Sequence, residues 1–324
     1  MPELQDAVQS DVQIAADFLA YWKAELSADV AYAVVPTRLK GGADARLYRY
    51  QLVGEAPKVL RVLRPAHQVQ ELAYHQFVHQ TLNQQGLKAP LIEHVCGDPS
   101  VLGGVFAVME LVPGQPLGVQ PPEIHASVLG ESMARMHALD VRPFVDTLRR
   151  AGIADEHFLF PAMLQRIFEG IEQTMPWAAE LIGWLRDQLP LADFDRAVIH
   201  GDYHGNNVMF EHGTVTGVLD WGFAIADPAV DLANLTNVYL VFARQLDPAV
   251  SLPVREQFVD GVFKAYAAIR PVHQERIQAF RVLHLLGALM GAATGPEFMR
   301  RPESQREYLA FLEQTTGLTL SPPA

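Results

Sequence analysis

Between Ala197 and Gly222 three short apolar runs alternate with polar turns, a pattern that closely spaced strands with loops at their ends satisfy. The runs are Ala197-Val198-Ile199, Val208-Met209-Phe210 and Val215-Thr216-Gly217-Val218-Leu219, the last two separated by the turn signal Glu211-His212-Gly213. The first loop reads His200-Gly201-Asp202-Tyr203-His204-Gly205-Asn206-Asn207, and Asp220-Trp221-Gly222 follows the third run. Gly, Asn and Asp dominate turns for conformational reasons alone. Here, however, an aspartate leads an asparagine by five positions and a second aspartate ends the next hairpin, so three oxygen-bearing side chains stand at strand ends.

That set suits phosphoryl transfer, in which the protein orients an attacking hydroxyl and neutralises phosphate charge more than it makes bonds of its own. Asp202 is the candidate base. Magnesium takes hard oxygen ligands and keeps several waters, so the amide oxygen of Asn207 and the carboxylate of Asp220 suffice as protein ligands. His204, two residues past the base, is placed to face a phosphate oxygen, to orient the hydroxyl, or to support the loop.

The motif His200-Gly201-Asp202-x-His204-x-x-Asn207, then Leu219-Asp220-Trp221-Gly222 and Asp227-Pro228-Ala229-Val230-Asp231-Leu232-Ala233, resembles the aminoglycoside phosphotransferase and choline kinase superfamily. The resemblance is specific over about residues 198–235 and runs upstream through Gly41-Gly42, Val59-Leu60-Arg61, Glu71 and Val108-Met109-Glu110. It implies an α+β, protein-kinase-like fold of two lobes. Residues 1–111 would form an N-terminal helix and a nucleotide-binding small lobe with an antiparallel sheet, and 112–324 a mainly helical catalytic and substrate-binding lobe. It also implies ATP and magnesium as cofactors and a small-molecule hydroxyl as acceptor. A protein serine or threonine kinase and an inactive nucleotide-binding scaffold are the alternatives, and retention of Asp202, Asn207 and Asp220 argues against the scaffold.

By the same resemblance, the Gly41-Gly42 turn lies over the triphosphate, where missing side chains let amides approach phosphate oxygens. Three cations, Lys58, Arg61 and Arg64, are available on or after the third strand to meet the phosphates, and Arg61 in Val-Leu-Arg fits the pattern best. Glu71 is its expected partner. Met109 would pack behind the adenine, with backbone groups near Glu110 to Val112 on its edge. The family places glycine before the metal asparagine, whereas this chain has Asn206, a residue that tolerates left-handed backbone geometry. His200 and Asp231 are expected to hold the loop, His137 to be structural, and Asp227 to cap a helix.

Apolar periodicity and turn signals place a helix over Leu4–Leu26 and strands over Ala31–Leu39, Leu47–Val53 and Lys58–Leu63. A helix follows over Gln68–Gln84, and another starts near Pro121 with Ile124, Val128, Leu129, Met133, Met136 and His137 at helical spacing. Further helices are expected at Ala162–Met175, Pro176–Leu189, Leu232–Arg244, Pro253–Ile269 and Gln274–Met290. At 324 residues, 49% hydrophobic and 19% charged, the chain can bury two cores. Its net charge of -12 argues against nonspecific nucleic-acid binding. No secretory signal or membrane-length run is evident, and the single cysteine, Cys96, suits a reducing cytoplasm. Glu169, Glu172, Glu180, Asp187, Asp193 and Asp195 precede the catalytic loop, and if they face the site they favour a cationic acceptor.

Overall fold

The computed structural model describes residues 10–39, 45–63, 69–189, 194–291 and 297–322. It divides into two compact units, Met1–Pro113 and Gly114–Ala324. The division falls two residues beyond the boundary read from sequence at 111. Gly41, Gly42, Arg64, Asp193 and the start of the N-terminal helix lie outside the described residues.

The first unit runs α1 (Asp11–Glu25), β1 (Tyr32–Arg38), β2 (Ala45–Leu52), β3 (Lys58–Leu63), α2 (Val69–Gln84), β4 (Ile92–Cys96), α3 (Pro99–Leu102) and β5 (Phe106–Glu110). Ser10 starts α1 because its hydroxyl accepts from the Gln13 amide at 3.2 Å, satisfying a donor the helix leaves over. The strands form one antiparallel sheet in the order β1-β2-β3-β5-β4.

Strand alternation gives this sheet two cores. Leu60, Val62, Phe106 and Val108 join Ile14, Phe18 and Trp22 of α1 on one face. Val59, Leu63, Ala107 and Met109 join Leu72 of α2 on the other. Phe18 is fully buried, worth about 1.5–3 kcal/mol by area, and meets Tyr50 and Phe106 edge-on at centroid distances of 5.0 and 5.8 Å. Arg61, between Val59 and Leu63 in the alternation, belongs to the α2 face.

The second unit begins with β6 (Gln115–Pro116), α4 (Pro122–His137), α5 (Arg142–Arg150), α6 (Phe160–Thr174) and α7 (Ala179–Gln188). Then come β7 (Ala197–Ile199), β8 (Val208–Glu211), β9 (Thr214–Val218) and β10 (Ala224–Ala226). It closes with α8 (Ala229–Asn237), α9 (Ala243–Leu246), α10 (Leu252–Ala267), α11 (Gln274–Gly291), α12 (Glu297–Arg300) and α13 (Pro302–Thr316). β8 lies between β6 and β9, while β7 pairs with β10.

Three features differ from the sequence reading. Helices α5 and α13 were not anticipated, although Pro143 and Pro302 in their first turns mark helix starts. On α4 the buried stripe passes through His125 and Ala126, four residues before the inward Leu129 and Gly130, and leaves Ile124 exposed. The helix expected at Leu232–Arg244 begins at Ala229, and its middle, Val238–Phe242, winds as a π-helix, a departure that often accompanies a functional site. Among the described residues no helix is long and apolar enough to cross a membrane.

Candidate active site

The β7–β8 loop carries Asp202, His204 and Asn207, and the segment after β9 carries Asp220. Backbone bonds lock the two together. Leu219 N–H donates to Asn207 O at 2.8 Å, and Gly222 N–H donates to His200 O at 2.9 Å. His200 Nε2 donates to Leu219 O at 2.8 Å. Gly201 has φ 88° and lies where a Cβ would stand 3.1 Å from Gly222 O, so both its conformation and its space call for glycine.

Asp220 has φ 59°, left-handed for an L-residue and costing about 1–2 kcal/mol. The bonds on both sides of Leu219 hold that geometry. Strain retained in this way is a mark of functional sites.

Asn207 turns its amide N–H groups toward Asp202, at 3.0 Å from the backbone oxygen and 3.4 Å from Oδ2. That leaves its Oδ1 as the atom to meet a cation, and with the exposed Asp220 carboxylate it makes an all-oxygen donor pair of the kind magnesium takes. The residues present therefore fit the metal. Among the described residues no cluster of three or more His, Cys, Asp or Glu forms a fuller metal cage.

His204 Nδ1 accepts from Asn206 N–H at 3.2 Å, so its proton sits on Nε2 and points to Asp202 Oδ2 at 3.3 Å. Burial pushes the Asp202 carboxyl up, but the His204 hydrogen bond and the charges of His204, His200 and His284 outweigh it. The net position is below the usual carboxylate value, which keeps Asp202 ionised. Its side chain stays 56% exposed, open to an acceptor.

Asp231 on α8 holds the loop from beneath. Its fully buried carboxylate accepts from His200 N–H at 2.8 Å, Gly201 N–H at 2.7 Å and His137 Nε2 at 3.1 Å. His137 Nδ1 meets Tyr266 Oη at 2.9 Å. Asn234, one turn on, donates to Gly201 O at 2.7 Å. Asp227 accepts from Ala229 N–H at 2.9 Å and pairs with Arg276, a structural position.

A second support was not legible as a motif. Gly205 N–H donates to Tyr239 Oη at 3.4 Å, and that hydroxyl donates to His125 Nε2 at 3.1 Å. Burial, with the His204 charge adding, pulls His125 down to about 4, which suits its role as a neutral acceptor. The π-helix brings Tyr239 here. A Cβ on Gly205 would stand 2.1 Å from His125 Nε2. Gly205→Ala is therefore expected to destabilise by roughly 1–3 kcal/mol and to lower turnover, measured by urea unfolding and ADP release. Unchanged values would remove His125 as a support. Asn206 is not among the residues with positive φ, so the left-handed geometry expected there is not used; the crowded glycine is Gly205.

In the first unit, Lys58 is bound to Glu55 and Glu93, both at 2.7 Å, which occupies the rival cation. Arg61 is half-buried and near α2, because its charge adds to burial and His79 in drawing His75 down to about 3. Glu71 is exposed in the first turn of α2. Met109 is buried in the α2-side core, and Glu110 Oε2 accepts from Leu91 N–H at 3.0 Å. The β3–β5 ladder ends at the Lys58 and Glu110 pair, so Val112 lies beyond it.

The described members of the acidic cluster, Glu169, Glu172, Glu180, Asp187 and Asp195, are exposed. Glu172 pairs with Arg186, Asp195 with Arg270, and Glu169 accepts from Gln165, while Glu180 and Asp187 are exposed on α7. Of the described members, Glu172 and Asp195 are thus engaged with arginines, and Asp193 lies outside the described residues.

The profile of the phosphotransferase enzyme family, APH, matches residues 36–276. The chain belongs to this family. It is 31% identical over 192 residues to homoserine kinase of Phenylobacterium zucineum (strain HLK1), covering 57% of this chain and 54% of that one. It is also 31% identical over 203 residues to acyl-CoA dehydrogenase family member 11 of Gallus gallus, covering 55% and 24%. The chain thus spans about half of the first and about a quarter of the second of these relatives. The crystal structure of a thermostable mutant of aminoglycoside phosphotransferase APH(4)-Ia, a ternary complex with AMP-PNP and hygromycin B, superimposes with a TM-score of 0.64 at 16% identity, over 94% of this chain and all of that one (100%). This establishes the α+β, kinase-like fold.

Proposed function

We propose that the chain transfers the γ-phosphoryl group of ATP to a hydroxyl of a small molecule, with Asp202 as base and Asn207 and Asp220 holding magnesium. The observation that carries this reading is the Asn207 side chain, whose N–H groups turn to Asp202 while its backbone oxygen takes the Leu219 amide beside Asp220. Base and metal positions are thereby joined on one frame. Asp202 accepts the hydroxyl proton as the acceptor oxygen bonds to phosphorus and the bond to the ADP oxygen breaks. His204 holds Asp202 in its ionised, oriented form. Bound magnesium would neutralise the phosphate charge that the protein's own residues leave exposed.

Arg61 and Glu71, Met109 and the backbone from Glu110 to Val112 are assigned to the nucleotide, as are, from the sequence alone, Gly41 and Gly42. AMP-PNP in the APH(4)-Ia complex supports ATP as donor. Homoserine and hygromycin B, named for relatives, are both hydroxylated small molecules. Buried, unpaired Cys96 supports a reducing, cytoplasmic setting.

The test is ADP release from ATP with and without magnesium across a panel of alcohols; no release with any of them would overturn the reading. Because Asp220 contributes a full charge and Asn207 a neutral oxygen, Asp220→Ala is expected to weaken magnesium-dependent nucleotide binding more than Asn207→Ala. Calorimetric titration checks this, and equal affinity of wild type and Asp220→Ala would take Asp220 out of the site.

A further inference from the structure

Helix α11 presents two side chains that this chemistry leaves unused, Arg281 and His284, one turn apart. Both are held by Asn237, fully buried at the end of α8. Its Oδ1 accepts from Arg281 Nε at 2.9 Å, and its Nδ2 donates to Arg281 O at 3.0 Å and approaches His284 Nδ1 at 3.4 Å. Asn234, on the same face of α8, holds Gly201 next to Asp202. One helix therefore fixes the α11 pair and the base in a common frame.

The amide N–H facing His284 Nδ1 makes that atom an acceptor, so the neutral ring carries its proton on Nε2 as a donor. Burial draws His284 down to about 4 against the pull of Asp202, and the two side chains feel one another's charge. Phe242 packs against the ring with centroids 5.4 Å apart, fixing its orientation.

Arg281 lies over the Phe311 ring of α13, 4.3 Å from its centroid, and donates to Gln278 Oε1 at 3.4 Å. Its partners among the described residues are thus neutral. Burial alone draws the guanidinium down to about 10, with no carboxylate acting on it. Arg244, Arg270 and Arg276 of the same unit each pair with an acid, and Arg255 donates to the carbonyls of Val250 and Asp247. A partly buried cation with only neutral partners is costly unless a counter-charge arrives. The planar fork suits an oxyanion.

We propose that Arg281 and His284 form the acceptor subsite, and that the hydroxylated substrate carries an oxyanion, a carboxylate or phosphate, that pairs with Arg281 while His284 Nε2–H donates to another oxygen of the same molecule. This rests on the kinase reading above. It sets an anionic acceptor against the cationic one expected from the acidic cluster.

The test compares short linear hydroxy acids of increasing length, and a phosphorylated alcohol, with the matching primary amides and amino alcohols, using magnesium, ATP and ADP release. At least one anionic acceptor is expected to exceed its neutral partner in kcat/KM by about tenfold, the scale of one charge-assisted bond. Arg281→Met should raise KM for that acceptor by about the same factor and erase the preference, whereas Arg281→Lys should retain part of it. If Arg281→Met fails to fold, Arg281→Lys and the salt dependence of the wild-type preference carry the test, since an ion pair weakens with salt. Equal turnover of acid and amide, preference for the amino alcohols, or a preference that survives Arg281→Met would overturn the proposal. ATP hydrolysis by water and magnesium-dependent nucleotide binding report on the kinase reading separately. If both are absent, that reading fails and this proposal with it; if they are present while no anionic acceptor is used, this proposal alone fails.

Discussion

Asp202→Asn is expected to reduce kcat by about 100-fold or more, the reach of a positioned general base, while nucleotide affinity and folded stability stay close to wild type. The carboxylate is 56% exposed and its partners, His204 and Asn207, are side chains on the same loop, so the amide replaces it without leaving a buried group unpaired. The replacement cannot take the hydroxyl proton. Steady-state ADP release with a competent acceptor, alongside urea unfolding of the same preparation, separates the two effects. Turnover within a few-fold of wild type would show that another group takes the proton.

Asp231→Ala should act on stability first. It strands the His200 and Gly201 amides and the His137 imidazole in a region closed to water, and breaking a buried charged network of this kind costs about 3–5 kcal/mol. Domains of ordinary stability have about 5–15 kcal/mol in total, so the variant should unfold at much lower urea. Burial raises the Asp231 carboxyl, but the His137 hydrogen bond, the His137 and His200 charges and the backbone donor outweigh it and leave it lowered. A carboxyl lowered on folding stabilises fully above the unfolded value, roughly pH 4, and that contribution is lost as pH falls through the lower folded value. Wild type should therefore lose stability over that acid range more steeply than Asp231→Ala. Equal urea midpoints at neutral pH would refute the role assigned to this network.

The parts legible in the sequence are those whose partners are close along the chain. Asp202, His204, Asn207 and Asp220 fall within one short stretch, and the hairpin that separates them fixes their meeting. The sheet of the first unit was readable for the same reason, because β1, β2 and β3 follow one another through turn signals. His125, Tyr239, Arg281 and His284 carry no such trace. Each is a single residue on a helix, and its meaning depends on a partner between about 30 and 115 positions away, at spacings no local pattern encodes. The π-helix at Tyr239 was hidden too, since its sequence is an ordinary apolar run. The acidic cluster carried no position for the acceptor, because composition locates charge along the chain and not in space.

The burial of Asp231 against the exposure of Asp202 and Asp220 separates two kinds of motif residue. A descendant of this fold that abandoned catalysis would still need Asp231 to fold, whereas its surface carboxylates could drift at little thermodynamic cost. Among related sequences, then, a preserved Asp231 testifies to descent, and on the proposed mechanism only the two exposed aspartates testify to a working enzyme.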